Sequence, residues 1–330
     1  MSPRKTQFVV LAGMLGSGKT TLLEALLADD GASACTAVIV NEVGAINIDG
    51  AVLSESARGM PMATLSNGCV CCSLTNDLLT TIEDLVETRA RNDEPTFERI
   101  VLECSGLSRP GQVIRSLNPL SSMGMRIHII VTYDCSRPPL DTDEFENVAA
   151  QLGAAHRIVM TKLDLASAQQ QRLARESIAR LNPLAQVVDA DSVRSRAREA
   201  FSDPQAEPPL DWSAPSFQRG SRRALLHPRV RVFCARFRKT PEWATTLDWL
   251  DNISGAIGDR LLRMKAIVAD PSGKGRVLLQ SVGTTFAQPR RLAAMETCDM
   301  AAIFIARDCG MSDFETFDMD GAIRWTSLQS

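Results

Sequence analysis

The sequence predicts an α/β fold: a mostly parallel sheet covered by helices, followed by a smaller α+β domain. Three observations predict it. Short apolar runs alternate with helix-like patterns through the N-terminal half, as in a parallel sheet buried on both faces. The first of these runs leads directly into a glycine-rich loop that opens a helix. Near residues 191–228 the composition changes to a proline-punctuated stretch, and strand-like alternation dominates beyond it.

Residues 8–11 read as a buried strand, and 20–27 as a helix with Leu22, Leu23, Leu26 and Leu27 on one broad face. Residues 37–40 are the next strand. A helix over 73–87 places Leu74, Leu78, Ile82, Leu85 and Val86 at helical spacing. Residues 100–102 form a strand, and Pro110 opens a helix with Val113, Ile114 and Leu117 facing inward. Strands follow over 127–131 and 158–160, helices over 144–152 and 168–181, and a strand at 187–188 closes the series. Pro204, Pro208, Pro209, Pro215 and Gly220 mark a linker or irregular crossover. Beyond it 230–237 alternates like a strand. Thr240 and Pro241 fit a helix cap and first turn, and Trp243, Leu247 and Leu250 share one helical face. Strands are predicted over 261–269, 276–286 and 301–306, with a hairpin turn at 271–275. The resulting division is 1–195 for a phosphate-loop domain, 196–228 for the linker and 229–330 for the C-terminal domain.

The 330 residues suffice for two domains, and 45% hydrophobic with 23% charged residues is a globular composition. A net charge of −3 without a polybasic block offers no footprint for nucleic acid or an anionic membrane. The first apolar run is broken by Gly13 and too short to span a bilayer. It flows into the phosphate loop without a cleavage-type stretch, so a cytoplasmic location is expected. Nine cysteines, three of them crowded into Cys69, Cys71 and Cys72, do not form an extracellular disulfide framework.

Gly13-Met14-Leu15-Gly16-Ser17-Gly18-Lys19-Thr20 fits G-x-x-x-x-G-K-[ST] without a gap. That pattern is the phosphate loop of P-loop NTPases. Its glycines let backbone N–H groups turn toward phosphates, Lys19 brings charge to the β/γ-phosphates, and the Thr20 hydroxyl ligates Mg²⁺. Thr21 is counted with the loop as a nucleotide-binding residue. The helix that follows points its positive end at the anion.

Glu103-Cys104-Ser105-Gly106 follows the strand at 100–102. Glu103 can hold Mg²⁺ through water or orient the attacking water, and the Gly106 N–H can meet the γ-phosphate. Thr161-Lys162-Leu163-Asp164 resembles the guanine-reading motif N-K-x-D with threonine in place of asparagine. Asp164 there can accept from both the ring N–H and the exocyclic amine of guanine, a donor pair adenine lacks. The Lys162 stem can lie along the base. GTP is therefore the expected nucleotide.

Gly68-Cys69-Val70-Cys71-Cys72 packs three soft ligands closely enough to share one Zn²⁺ or Co²⁺ ion. The predicted helix start at Cys72 favours its thiolate. A closed structural zinc site wants four ligands, so three suit an open site from which metal is delivered. Redox thiols and packing cysteines are the alternatives. Cys35, Cys104, Cys135, Cys234, Cys298 and Cys309 read as structural. His128 reads as a core residue, and His156 and His227 as isolated.

These motifs, with Asn41-Glu42-Val43-Gly44 between the first two, occur in an order that resembles the CobW-like GTPases, relatives of HypB and UreG. The tail from Arg260 to about Ala306 looks like the CobW C-terminal domain. The resemblance implies a GTPase whose metal site lies near the nucleotide, so that metal and GTP affinity are coupled. It implies a metallochaperone that passes its metal to a client apo-metalloprotein, with homodimerisation left open and no nucleic acid or membrane partner. The other readings are a small-molecule kinase on the same loop and a dedicated metalloenzyme activator. Val40, Val43 and Ala45 stand where many members carry glutamate, phenylalanine and glutamate.

Overall fold

The structure, a computed structural model, describes residues 6–29, 35–41, 62–65, 73–104, 120, 123–137, 142–203, 229–273, 275–292 and 300–328. They gather into two compact units, one around each of two sheets. The second unit draws in Leu152–Ala154 and Leu173–Ala185.

In the first unit β1 (Gln7–Gly13), β2 (Thr36–Asn41), β3 (Met62–Leu65), β4 (Arg99–Glu103), β5 (Arg126–Asp134), β6 (Arg157–Thr161) and β7 (Gln186–Val188) form one parallel sheet. The strand order is β3-β2-β4-β1-β5-β6-β7, with β1 at the centre. Alternate residues of β1 serve opposite faces. Val9 and Leu11 join Leu22, Leu23, Leu26 and Leu27 of α1 (Lys19–Leu27) in one core, while Phe8 and Val10 are buried on the other side. Burial on both faces is why these strands read as unbroken apolar runs. Leu78 and Ile82 of α2 (Ser73–Arg91) and Val148 of α3 (Thr142–Ala154) are buried; Leu152 of α3 and Ala174 and Ile178 of α4 (Ala168–Leu181), also buried, group with the second unit.

A helix, α5 (Val193–Ala200), stands where composition suggested irregular chain. Ser192 caps it by accepting the Ser195 N–H at 3.0 Å. The buried Arg157 closes its other end, donating from Nη1 to the carbonyls of Glu199, Ala200 and Ser202 at 3.1, 2.8 and 2.8 Å. Ala197 and Ala200 then join the core beside α1. His156, isolated in the sequence, lies with its ring centroid 4.8 Å from that of His128, and both are buried.

The second unit is an antiparallel sheet of β8 (Val230–Phe237), β9 (Leu261–Ala269), β10 (Arg276–Val282), β11 (Thr285–Phe286), β12 (Arg290–Leu292), β13 (Ala301–Arg307) and β14 (Ile323–Ser327). Its order is β11-β10-β9-β13-β8-β14, with β12 pairing β10. Trp249, Leu250, Ile253 and Ile257 of α6 (Trp243–Ile257) pack on Phe233, Met264, Val268 and Phe304 of the sheet. Three details differ from expectation. The cap of α6 is Glu242 and not Thr240, Leu247 is exposed while Trp249 carries the apolar face, and the run 276–286 breaks into a hairpin at Gly283. Among the described residues no helix is long and apolar enough to cross a membrane.

Candidate functional site

The site lies at the carboxyl ends of β1, β4, β5 and β6, where ligands of open parallel sheets sit. β1 delivers the chain to a loop in which Gly13, Gly16 and Gly18 have φ of 140°, 71° and 89°. Side-chain-bearing residues avoid these conformations. At Gly13 space forbids a side chain as well: a Cβ would fall 2.2 Å from Thr132 Oγ1 and 2.8 Å from the Thr132 carbonyl oxygen. Gly18 is the residue that turns the chain into α1.

Hydroxyls from the loop itself and from two strands staple it. Ser17 Oγ donates to the Met14 carbonyl at 2.7 Å and lies 2.6 Å from Thr132 Oγ1 on β5. Thr161 Oγ1, at the end of β6, donates to the Ser17 carbonyl at 2.8 Å, with the Tyr133 carbonyl at 3.0 Å. Lys19 is buried, and its Nζ donates to the carbonyls of Gly13 and Met14 at 3.0 and 3.1 Å. The ammonium is thus folded back over the loop its own helix follows.

Thr20 Oγ1 donates to Glu103 Oε1 at 2.9 Å, and Glu103 is buried at the end of β4. Two oxygen ligand types on adjacent elements, beside a loop shaped for phosphate, fit the hard-oxygen preference of Mg²⁺. Cys104 is buried next to them, and burial pushes its thiol up to about 12 despite the nearby Lys19. It is therefore a neutral packing group, as the sequence suggested.

Beyond Thr161, the last residue of β6, Lys162 leads into a turn that holds Leu163 and Asp164. Thr161, which stands where the motif has asparagine, braces the phosphate loop through the Ser17 carbonyl. Lys162 has φ of 54° and bonds Asp134 Oδ2 at 2.7 Å. The Asp164 side chain is exposed. Thr21 is also exposed, on the outer side of the first helical turn.

The structure thus brings together Gly13, Gly16, Ser17, Gly18, Lys19, Thr20, Glu103, Thr161 and Lys162. Gly106, Cys69, Cys71, Cys72, the segment 42–45, the helix expected at Pro110 and His227 lie outside the described residues. Among the described residues no group of three His, Cys, Asp or Glu side chains is placed to hold a metal ion.

Sequence reasoning missed Thr132, Asp134 and Arg137. β5 runs three residues beyond its expected end, because Thr132-Tyr133-Asp134 interrupts the apolar run that defined it. Asp134-Cys135-Ser136 is a local signal that could have found it. Ser136 N–H and Oγ both donate to Asp134 Oδ1, at 3.0 and 2.6 Å, the pattern of an aspartate-initiated turn. Burial alone would raise the Asp134 carboxyl, but the hydrogen bonds from Lys162 and Ser136 outweigh it and hold the group below the usual aspartate range.

The CobW/HypB/UreG nucleotide-binding domain matches residues 7–189. The zinc chaperone YjiA of Escherichia coli is 33% identical over 181 residues, covering 54% of this chain and 55% of that protein. The zinc-regulated GTPase metalloprotein activator 1 of Schizosaccharomyces pombe is 29% identical over 188 residues, 54% of this chain and 44% of that one. In sequence, the chain thus spans about half the length of these relatives. The crystal structure of Zn(II)-bound YjiA GTPase from E. coli superposes with a TM-score of 0.64 at 21% identity, over 96% of this chain and 99% of that one, so the fold is shared.

Proposed function

Because the chain belongs to the CobW/HypB/UreG nucleotide-binding family, we propose that it is a GTP-dependent metallochaperone. In this reading it loads a transition metal, Zn²⁺ or Co²⁺, at Cys69, Cys71 and Cys72 and passes it to a client apo-metalloprotein as GTP is hydrolysed. The observation that carries the nucleotide half is the Thr20–Glu103 pair at 2.9 Å beside Lys19. The relatives named as zinc chaperones and as a metalloprotein activator support the metal half and favour zinc.

The residues divide the work as follows. The loop N–H groups and the N-terminus of α1 hold the phosphates. Lys19 leaves the Gly13 and Met14 carbonyls to meet the β/γ-phosphate oxygens. Thr20 and Glu103 would hold Mg²⁺, which supplies charge neutralisation at the transferred phosphoryl group. Glu103 also orients the attacking water. Asp164, exposed at the rim, accepts from guanine, and Thr161 keeps that turn in register with the phosphate loop. The thiolates of Cys69, Cys71 and Cys72 take the metal as cargo.

Two variants separate the halves. Lys19→Ala abolishes tight nucleotide binding and keeps metal affinity, and Cys71→Ser does the reverse. Titration of each variant with GTP and with Zn²⁺ reads both effects. Undiminished zinc affinity in Cys71→Ser assigns the cluster to packing and removes the metal half.

A further inference from the structure

Asp134 stands between the two loops assigned above to the nucleotide. β5 and β6 run side by side with Asp134 opposite Thr161, which brings the next residue, Lys162, to the Asp134 side chain. Lys162 Nζ lies 2.7 Å from Asp134 Oδ2 and Arg137 Nε lies 3.3 Å from the same oxygen. Oδ1 is taken by the N–H and hydroxyl of Ser136. Three hydrogen-bond donors, the Lys162 ammonium and the two groups of Ser136, with the Arg137 guanidinium as an added ion pair, fix the orientation of a carboxylate whose side chain is only 5% exposed. Arg137 carries the connection onward, donating from Nη2 to the Leu15 carbonyl at 3.2 Å, at the exposed tip of the phosphate loop. Lys162, for its part, is held in a left-handed backbone conformation that a lysine disfavours.

We propose that Asp134 is a positioning residue for base recognition: its grip on Lys162 fixes the turn that presents Asp164 to the purine, and Arg137 ties that turn to the phosphate loop. The proposal rests on the reading of residues 161–164 as the base-contacting turn. An acid that only supports packing matters equally to every ligand of the phosphate loop. An acid that positions the turn matters only to ligands that carry a base.

The test uses the full chain with Mg²⁺ and compares Kd for GTP, ATP and inorganic triphosphate. In Asp134→Asn the ratio of the triphosphate Kd to the GTP Kd is expected to fall about tenfold, the scale of one charge-assisted hydrogen bond. Lys162→Met should lower it similarly, and the double variant should lose no more than either single one, because both remove the same link. An unchanged ratio, or additive losses in the double variant, overturns the proposal. If Asp134→Asn does not fold, Asp134→Glu keeps the charge, displaces the carboxylate and is judged by the same ratio. A parent chain that binds GTP and ATP equally sinks guanine selectivity alone, since ATP also carries a base and the ratio is then read with either. A parent that binds GTP no better than triphosphate overturns both readings.

Discussion

The Thr20 hydroxyl donates to Glu103 Oε1 at 2.9 Å, joining the first turn of α1 to the end of β4. Each residue alone is a weak signal, a helix-start threonine and a strand-end acid. Held together beside Lys19 they form a hard-oxygen site at the mouth of the phosphate loop. Glu103→Gln keeps the shape and the hydrogen bond but removes the charge. Single-turnover GTP hydrolysis should fall on the order of a hundredfold, within the range for loss of a positioned acid or base. GTP binding should weaken only several-fold. Hydrolysis at the parent rate would remove Glu103 from the catalytic role.

Gly13 makes a separate prediction, about stability. Its φ of 140° and the 2.2 Å approach of a Cβ to Thr132 Oγ1 leave no room for alanine. Gly13→Ala should cost about 1–3 kcal/mol, as overpacking does, and should lower the urea midpoint without nucleotide present. A midpoint equal to that of the parent would mean that β1 and β5 can separate at no cost.

The Asp134 carboxyl titrates below the usual aspartate range, with a definite sign for stability. A carboxylate with a depressed folded value stabilises the fold above its unfolded value, about 3.9, and loses that contribution as pH falls through the folded one. The Tm gap between the parent and Asp134→Asn should therefore stay constant above about pH 5 and close in more acid solution. A gap that changes between pH 6 and 8 would point to a different titrating group.

Cys104 is buried, with its thiol pushed up to about 12. The thiolate is the reactive form, so native protein at pH 8 should leave Cys104 unalkylated while unfolded protein reacts fully. Peptide mapping after brief iodoacetamide treatment checks this. Rapid native labelling of Cys104 would show that the end of β4 opens readily.

Much of the fold was legible because its signals are local. The phosphate loop, the four leucines of α1 and the apolar runs of β1, β4 and β6 announce themselves within a few residues. What escaped depends on distant partners. α5 is polar along most of its length, and its C-terminal end is closed by Arg157, a residue some forty positions earlier in the chain. β14 exists because Ile323 to Ser327 pair with Phe237 to Phe233 across the sheet. Asp134 lies three residues beyond the apolar run that marked β5, and only the pairing of β5 with β6 brings Lys162 against it. Thr161 stands in the motif where asparagine is usual, and the bond of its hydroxyl to the Ser17 carbonyl arises only from the adjacency of β6 and the phosphate loop.

The most direct test of the central claim is a competition titration of Zn²⁺ and Co²⁺ into the reduced, metal-free chain, with and without Mg²⁺ and a non-hydrolysable GTP analogue. Nucleotide is expected to tighten metal binding, metal to tighten nucleotide binding by the same factor, and Co²⁺ to produce thiolate-to-metal absorption. Metal binding that is absent, or indifferent to nucleotide, would contradict that claim.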